Sequence, residues 1–249
     1  MAMPIMVDNL GAAGWSKPNF KVGRRVVMAL DGEEKVGKTS FALRSDREPI
    51  FLFNFNMGLE GILRNFRDKD MVVCDLPRGG WIAQEAGGEK EQLSEARNAM
   101  VKFYKAYRYA LKSKGTIILD TASEFRELLR LARLGKLDQV QARYYGPVNA
   151  EERAVLQMAK DQPELSFIAI HQLKDEYKND KRTGGRVRHG AGDIGYLSDC
   201  TVVLSRKSSG GVLEFTGNIT ECRYDTGLIG MELMGDMCGF NYLLEMIHG

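Results

Sequence analysis

The sequence is poor in the residues that build metal centres and covalent cross-links. Its four cysteines (Cys74, Cys200, Cys222 and Cys238) include no C-x-x-C pair, and its three histidines do not gather near them. That spacing argues against zinc and disulfide roles, and reduced, mostly buried thiols fit a cytoplasmic setting. Long apolar runs are missing too. None approaches the roughly 18 residues of a membrane span, and Asp8 and Gly11 interrupt the stretch where a signal peptide would have its core. A soluble, intracellular protein with no membrane partner is expected. Charge of one sign is also absent: 35 Lys and Arg stand against 33 Asp and Glu, for a net charge of +2. Any nucleic-acid partner must therefore be recognised by local charge. No Pro/Ser-rich linker, low-complexity tract or repeat divides the 249 residues, and 44% hydrophobic residues suffice for a full core. One domain over residues 1–249 is expected, with 1–20 as an irregular lead-in containing Gly11, Gly14 and Pro18.

What is present is concentrated in one octet. Gly32-Glu33-Glu34-Lys35-Val36-Gly37-Lys38-Thr39 matches the phosphate-loop pattern G-x-x-x-x-G-K-[ST]. It follows an apolar strand-like run, Val26 to Leu30, and precedes a helix-forming stretch, Ser40 to Arg44, which is the context the mechanism needs. Its glycines let backbone N–H groups turn toward phosphate, Lys38 can reach the terminal phosphates, and Thr39 offers a hydroxyl to Mg²⁺. Residues 32–40, through Ser40, are thus a candidate ATP site. Glu33 and Glu34 set two carboxylates beside a polyanion, only partly offset by Lys35, so their side chains must point away from it.

Strand and helix patterns alternate along the chain. Ile50 to Phe55 reads as a buried strand and Met71 to Cys74 as a short one. Glu89 to Lys114 carries Leu93, Ala96, Met100, Phe103, Tyr107, Ala110 and Leu111 at helical spacing. Thr116 to Asp120 is a strand ending in a carboxylate. Thr121-Ala122-Ser123-Glu124 is a capping-box pattern opening a helix that runs to Gly135. A further helix opens at Asn149, and Ser166 to Ile170 is the next strand. This alternation predicts a parallel sheet with helices on its faces. Thereafter Thr201–Ser205, Val212–Phe215 and Ile219–Arg223, divided by Gly210-Gly211 and Gly217-Asn218, read as short hairpin-connected strands, and Tyr242 to Ile247 as a closing helix.

Asp120 has the form of a carboxylate that holds Mg²⁺ at the edge of a nucleotide-binding sheet, although a strand-end aspartate is also a helix cap. Two places offer a group to orient water. Glu60 is the one carboxylate between Glu48 and Asp68, and His171-Gln172 follows the 166–170 strand, where Gln172 can sense a terminal phosphate. A surface glutamate and a structural histidine are the plain alternatives. Lys178 to Gly190 carries Lys178, Lys181, Arg182, Arg186 and Arg188 against one acid, with three glycines, and reads as a mobile basic loop. Nucleic-acid phosphate, plain solvation or a lid over the nucleotide would each suit it. Arg143, Tyr144 and Tyr145 combine charge with aromatics in a way that suits stacking on a single strand, although tyrosines are also common in cores and turns.

The order of these parts resembles the RecA-like ATPase core, and most closely the phage-encoded RecA-like ATPases of single-strand annealing and recombination. The resemblance rests on the phosphate loop, Gly58-Leu59-Glu60-Gly61, Ile118-Leu119-Asp120-Thr121, Tyr145-Gly146-Pro147-Val148-Asn149 and His171-Gln172 before the basic segment, and covers roughly residues 22–225. It implies an α/β fold: a RecA-like P-loop NTPase core, with a mostly parallel sheet, helices on both faces and C-terminal antiparallel hairpin strands. It further implies catalytic roles for Lys38, Glu60, Asp120 and Gln172, metal ligation by Thr39 and Asp120, and single-stranded DNA at Arg143, Tyr144, Tyr145, Lys178, Lys181, Arg182, Arg186 and Arg188. A homo-oligomeric ring or filament, a single-stranded DNA binding protein as partner, and the cytoplasm of a bacterial host belong to the same expectation. One departure is that Asn56 stands where RecA proper has a catalytic glutamate; either Glu60 substitutes from the next turn, or hydrolysis is slow and nucleotide binding serves mainly as a conformational switch. Arg126, Arg130 and Arg133 share a helix face and are the candidates for an arginine acting on a neighbouring subunit. Two rival readings are a nucleotide-switched scaffold, such as a helicase loader, and a small-molecule P-loop kinase.

Overall fold

Strand β1 (Val27–Gly32) is buried on both faces, and its side chains divide between two cores. The same alternation holds in β2 (Ile50–Asn54), β4 (Gly115–Asp120) and the first half of β5 (Leu165–Lys178). On one face Val27, Ala29, Phe51, Phe53, Ile117, Leu119, Phe167 and Ala169 meet α3 (Gly79–Glu85), α4 (Glu89–Ala110), α5 (Ala122–Leu134) and α6 (Gly146–Lys160). On the other, Met28, Leu30, Ile50, Leu52, Ile118, Ile168 and Ile170 meet α1 (Lys38–Leu43) and α8 (Phe240–His248), with α2 (Glu60–Leu63) packed beside them. Period-two alternation of uniformly apolar residues is what a sheet covered by helices on both faces requires.

The structure, a computed structural model, describes residues 25–55, 59–85, 87–136, 141–178, 181–188, 194–209 and 212–249. The expected lead-in at 1–20 and Asn56 lie outside these residues. The remaining described elements are β3 (Met71–Asp75), β6 (Lys181–Arg188), α7 (Ile194–Leu197), β7 (Cys200–Ser209), β8 (Val212–Cys222) and β9 (Glu232–Met234). The strands form one nine-stranded sheet in the order β3-β2-β4-β5-β1-β7-β8-β9, with β6 paired to β5. From β3 to β7 neighbours run parallel; β8, β9 and β6 add antiparallel pairs. This is the mostly parallel sheet, with helices on both faces and antiparallel C-terminal strands, that the resemblance implies.

Register brings the chemistry to one level. Asp31 and Gly32 of β1 lie opposite His171 and Gln172 of β5, and Asp120 of β4 lies opposite Ile170. The acid, the glutamine and the phosphate loop therefore leave adjacent strands at the same edge of the sheet. Helix α5 begins as its sequence predicts: the Thr121 hydroxyl accepts from the Glu124 N–H at 3.2 Å, and Gly135 closes the helix.

Three expectations are corrected. The described part of the basic segment is no loop: β5 runs on to Lys178, and Lys181–Arg188 returns antiparallel to it as β6, while residues 179, 180, 189 and 190 lie outside the described residues. Cross-strand pairing of Asp175 with Arg182 (2.8 Å) and Arg186 (2.9 Å) offsets the repulsion that made a mobile loop the natural reading. Val212–Phe215 and Ile219–Arg223 are not separate strands, because Gly217 and Asn218 stay paired with Leu204 and Val203 inside β8. Finally, Ala142–Tyr145 form a 3₁₀ turn leading directly into α6, which starts at Gly146 rather than Asn149.

One buried ion pair ties the helical layer together. Arg126 of α5 binds Glu152 of α6, and its other nitrogen donates to Asn149 at 2.7 Å. Burial raises the Glu152 pKa, while Arg126 pulls it back down. A carboxyl raised on folding adds stability that is complete below the ordinary glutamate pKa and is lost as pH climbs through the raised value. Replacing Arg126 with leucine leaves the carboxyl buried without its partner, so Arg126→Leu should cost about 3 to 5 kcal/mol at pH 8 and clearly less at pH 5. Urea unfolding at both pH values checks this; an equal cost at each would contradict the assignment.

Candidate functional site

The turn after β1 calls for glycine at two positions. A Cβ on Gly32 would stand 2.7 Å from Val36 Cγ2 and 2.9 Å from the Leu204 carbonyl oxygen, and Gly37 holds φ at 85° as the N-cap of α1. The Phe41 N–H donates to the Gly37 carbonyl at 2.9 Å, so the helix follows the loop without a break. Lys38, 9% exposed, folds back over this turn and donates to the carbonyls of Gly32 (2.9 Å) and Glu33. Burial lowers its pKa; Asp120, Glu34, Asp31 and Glu33 act in the opposite direction.

Thr39, the next residue, donates its hydroxyl to Asp120 Oδ2 at 2.7 Å. Asp120 is buried at the end of β4, so a contact between residues 81 apart in sequence joins the phosphate loop to the acid strand. Two hard oxygen atoms at this spacing fit Mg²⁺, which is held by one or two protein oxygens together with water and substrate phosphates.

The two loop carboxylates differ in their partners, although both act on the Lys38 ammonium. Glu33 pairs with Arg186 at 2.7 Å and Glu34 is exposed. Beneath the loop, Asp31 is buried; its pKa is raised by burial and pulled back by Arg188, whose Nε donates to both carboxylate oxygens at 2.8 Å. A terminal nitrogen of Arg188 reaches the Thr201 hydroxyl at 3.4 Å. His171 beside them is fully buried, neither ring nitrogen has a hydrogen-bond partner among the described residues, and burial pushes its pKa down to about 3. Burial therefore favours its neutral form. Gln172 stands opposite Gly32 and donates its N–H to the Ser123 hydroxyl at 3.4 Å.

The remaining sequence candidates are placed as follows. Glu60 opens α2 and is exposed, lining a cleft of about 840 Å³ with Asn54, Asp75, Arg78, Trp81 and Glu124. It takes no part in the bonds from Lys38 to the Gly32 and Glu33 carbonyls or in the Thr39–Asp120 bond. Lys178 and Lys181 pair across the hairpin tip and are exposed, whereas Arg182, Arg186 and Arg188 are engaged by Asp175, Glu33 and Asp31. Tyr144 is exposed with the Arg143 guanidinium 4.9 Å from its ring centre, while Tyr145 accepts from Arg130 at 2.9 Å. Arg126, Arg130 and Arg133 all bond within their own chain, to Glu152, Glu127 and Glu151. Asp31 was not foreseen as a site residue. An acid inside an apolar strand was its signal, but its partner lies 157 residues away.

No family model matches the sequence, and no curated protein matches it at a significant level. Among solved structures the chain is similar to a KaiC-like protein of the hyperthermophilic archaeon Pyrococcus horikoshii OT3, at 14% identity over 84% of each chain, with a TM-score of 0.48.

The Asp31–Arg188 pair ties the root of the β5–β6 hairpin to the strand that carries the phosphate loop. Asp31→Asn and Arg188→Gln should each destabilise the protein, with the double variant showing a coupling of about 1 to 3 kcal/mol in a double-mutant cycle of urea unfolding. Strict additivity would mean that the pair contributes nothing.

Proposed function

We propose that the protein binds and hydrolyses ATP at residues 32–40 and engages single-stranded DNA through the β5–β6 hairpin, in phage DNA recombination, repair or annealing. The observation that supports the nucleotide site best is the 2.7 Å contact between Thr39 and Asp120 beside a glycine-bounded phosphate turn. Lys38 has a second use built into its position. The ammonium that bonds the Gly32 and Glu33 carbonyls would exchange them for the terminal phosphate oxygens of ATP. Mg²⁺, when bound with the nucleotide through Thr39 and Asp120, would neutralise charge on the phosphates. Hydrolysis transfers the terminal phosphoryl group to water, with the P–O bond to ADP breaking and a proton leaving the attacking water. Glu60 and Gln172 are the groups proposed to orient that water.

The DNA part of the reading is supported by two exposed features. Lys178 and Lys181 pair across the hairpin and are exposed, and Tyr144 with Arg143 offers an aromatic face for stacking. Arg186 is held by Glu33 of the loop and Arg188 by Asp31 of β1, so their pairs link the hairpin to the nucleotide site. A homo-oligomer and a single-stranded DNA binding protein as partner belong to the same proposal. A nucleotide-switched scaffold with little turnover is the second reading, favoured by the exposed position of Glu60 outside the Thr39–Asp120 contact.

ATP hydrolysis by the wild type and by Lys38→Ala and Glu60→Gln, each with and without single-stranded DNA, separates these readings. Turnover should rise with DNA, fall at least a hundredfold in Lys38→Ala, and fall in Glu60→Gln if that carboxylate serves the water. DNA binding should weaken steeply across a salt series, as phosphate contacts require. Tight nucleotide binding with no DNA response would instead favour the scaffold.

A further inference from the structure

The β7–β8 hairpin outruns the sheet beside the phosphate loop. Gly32, the last residue of β1, lies opposite Leu204 of the parallel strand β7, which continues to Ser209. On the antiparallel return, Phe215 of β8 lies opposite Arg206, two residues past Leu204. At about 3.3 Å per residue this sets Phe215 roughly 7 Å beyond the end of β1, level with the loop rather than with the sheet. A bond of 2.9 Å between the Ser205 and Thr216 hydroxyls fixes the hairpin just below it.

Phe215 leaves the core at this point. Ile219, on the same face of β8, is fully buried in the core on the α1 side, and Gly217 between them packs on Leu204 and Val202. Phe215, next in that row, is 40% exposed. Its ring nevertheless lies against the phosphate turn: a Cβ built on Gly37 would sit 3.6 Å from Phe215 Cδ1 and 3.9 Å from Cγ. An aromatic ring is thus partly open to solvent at the loop whose backbone is shaped for phosphate. The rest of a nucleotide, attached to those phosphates, needs an apolar surface within its own length.

We propose that Phe215 is the residue on which the base of the bound nucleotide stacks, so that the β7–β8 hairpin supplies the base subsite of the phosphate loop. The inference rests on reading residues 32–40 as a nucleotide site. Stacking accepts any base, since every base has a π-face. Phe215 therefore contributes affinity for nucleoside triphosphates as a class, with little preference between ATP and GTP.

The test compares two ligands that share the phosphates and differ in the base: Mg²⁺-ATP and Mg²⁺-tripolyphosphate. Calorimetric titration of the full chain should show that Phe215→Ala weakens ATP about tenfold to a hundredfold and leaves tripolyphosphate unchanged. Phe215→Trp should keep ATP affinity, and relative to wild type should add tryptophan fluorescence that ATP quenches and tripolyphosphate does not. If Phe215→Ala weakens both ligands equally, or neither, the ring only packs the loop and the proposal is wrong. If the wild type binds neither ligand, or Lys38→Ala binds both as well as the wild type, the nucleotide reading itself fails.

Discussion

The Thr39 hydroxyl reaches Asp120 only because strands β4, β5 and β1 run parallel and end at one level. In that register Asp120 faces Ile170 while Asp31 and Gly32 face His171 and Gln172, so the acid strand and the phosphate turn emerge together with β5 between them. A slip of one residue in either pairing would turn every side chain of the strand to the opposite face. Close packing opposes it: Ile117 and Leu119 are fitted into one helical layer and Ile118 into the other. The site is therefore held by the whole sheet, and its 2.7 Å contact is the local expression of that register.

Electrostatics supply a second constraint. The phosphate turn is surrounded by carboxylates, Asp31, Glu33, Glu34 and Asp120, which would repel a polyanion if left unpaired. Arg188 answers Asp31 and Arg186 answers Glu33. Both arginines come from β6, so pairing these two carboxylates and positioning the hairpin are one event. A ligand that changes the charge at the loop changes what holds the hairpin, and this is a physical route by which nucleotide and hairpin can influence each other without a separate relay.

Much of this was legible in the sequence because it is local. The octet from Gly32 to Thr39, the apolar strands at 50–55 and 116–120, the cap at Thr121 and the helical spacing of Phe103 and Tyr107 each follow from neighbours in the chain. What escaped is what depends on distant partners. Residues 178–188 look like a loop because glycine and like charge dominate them, and Asp175, which compensates Arg182 and Arg186, belongs to the preceding strand. Gly217-Asn218 looks like a turn because nothing local reveals that β7 holds it straight. Arg126, Arg130 and Arg133 look free for another subunit until α6 and the adjoining turn bring Glu152, Glu151 and Tyr145 to them. Asp31 is visible in the sequence, yet its role needs an arginine 157 residues away.

The central claim is that the phosphate turn is a nucleotide site whose occupancy is felt by the β5–β6 hairpin. Amide hydrogen exchange of the full chain, with and without Mg²⁺-ATP, tests both halves at once. The account predicts slowed exchange across residues 33–40 together with a change across residues 181–188. Unaltered exchange at 33–40 under saturating Mg²⁺-ATP would contradict it.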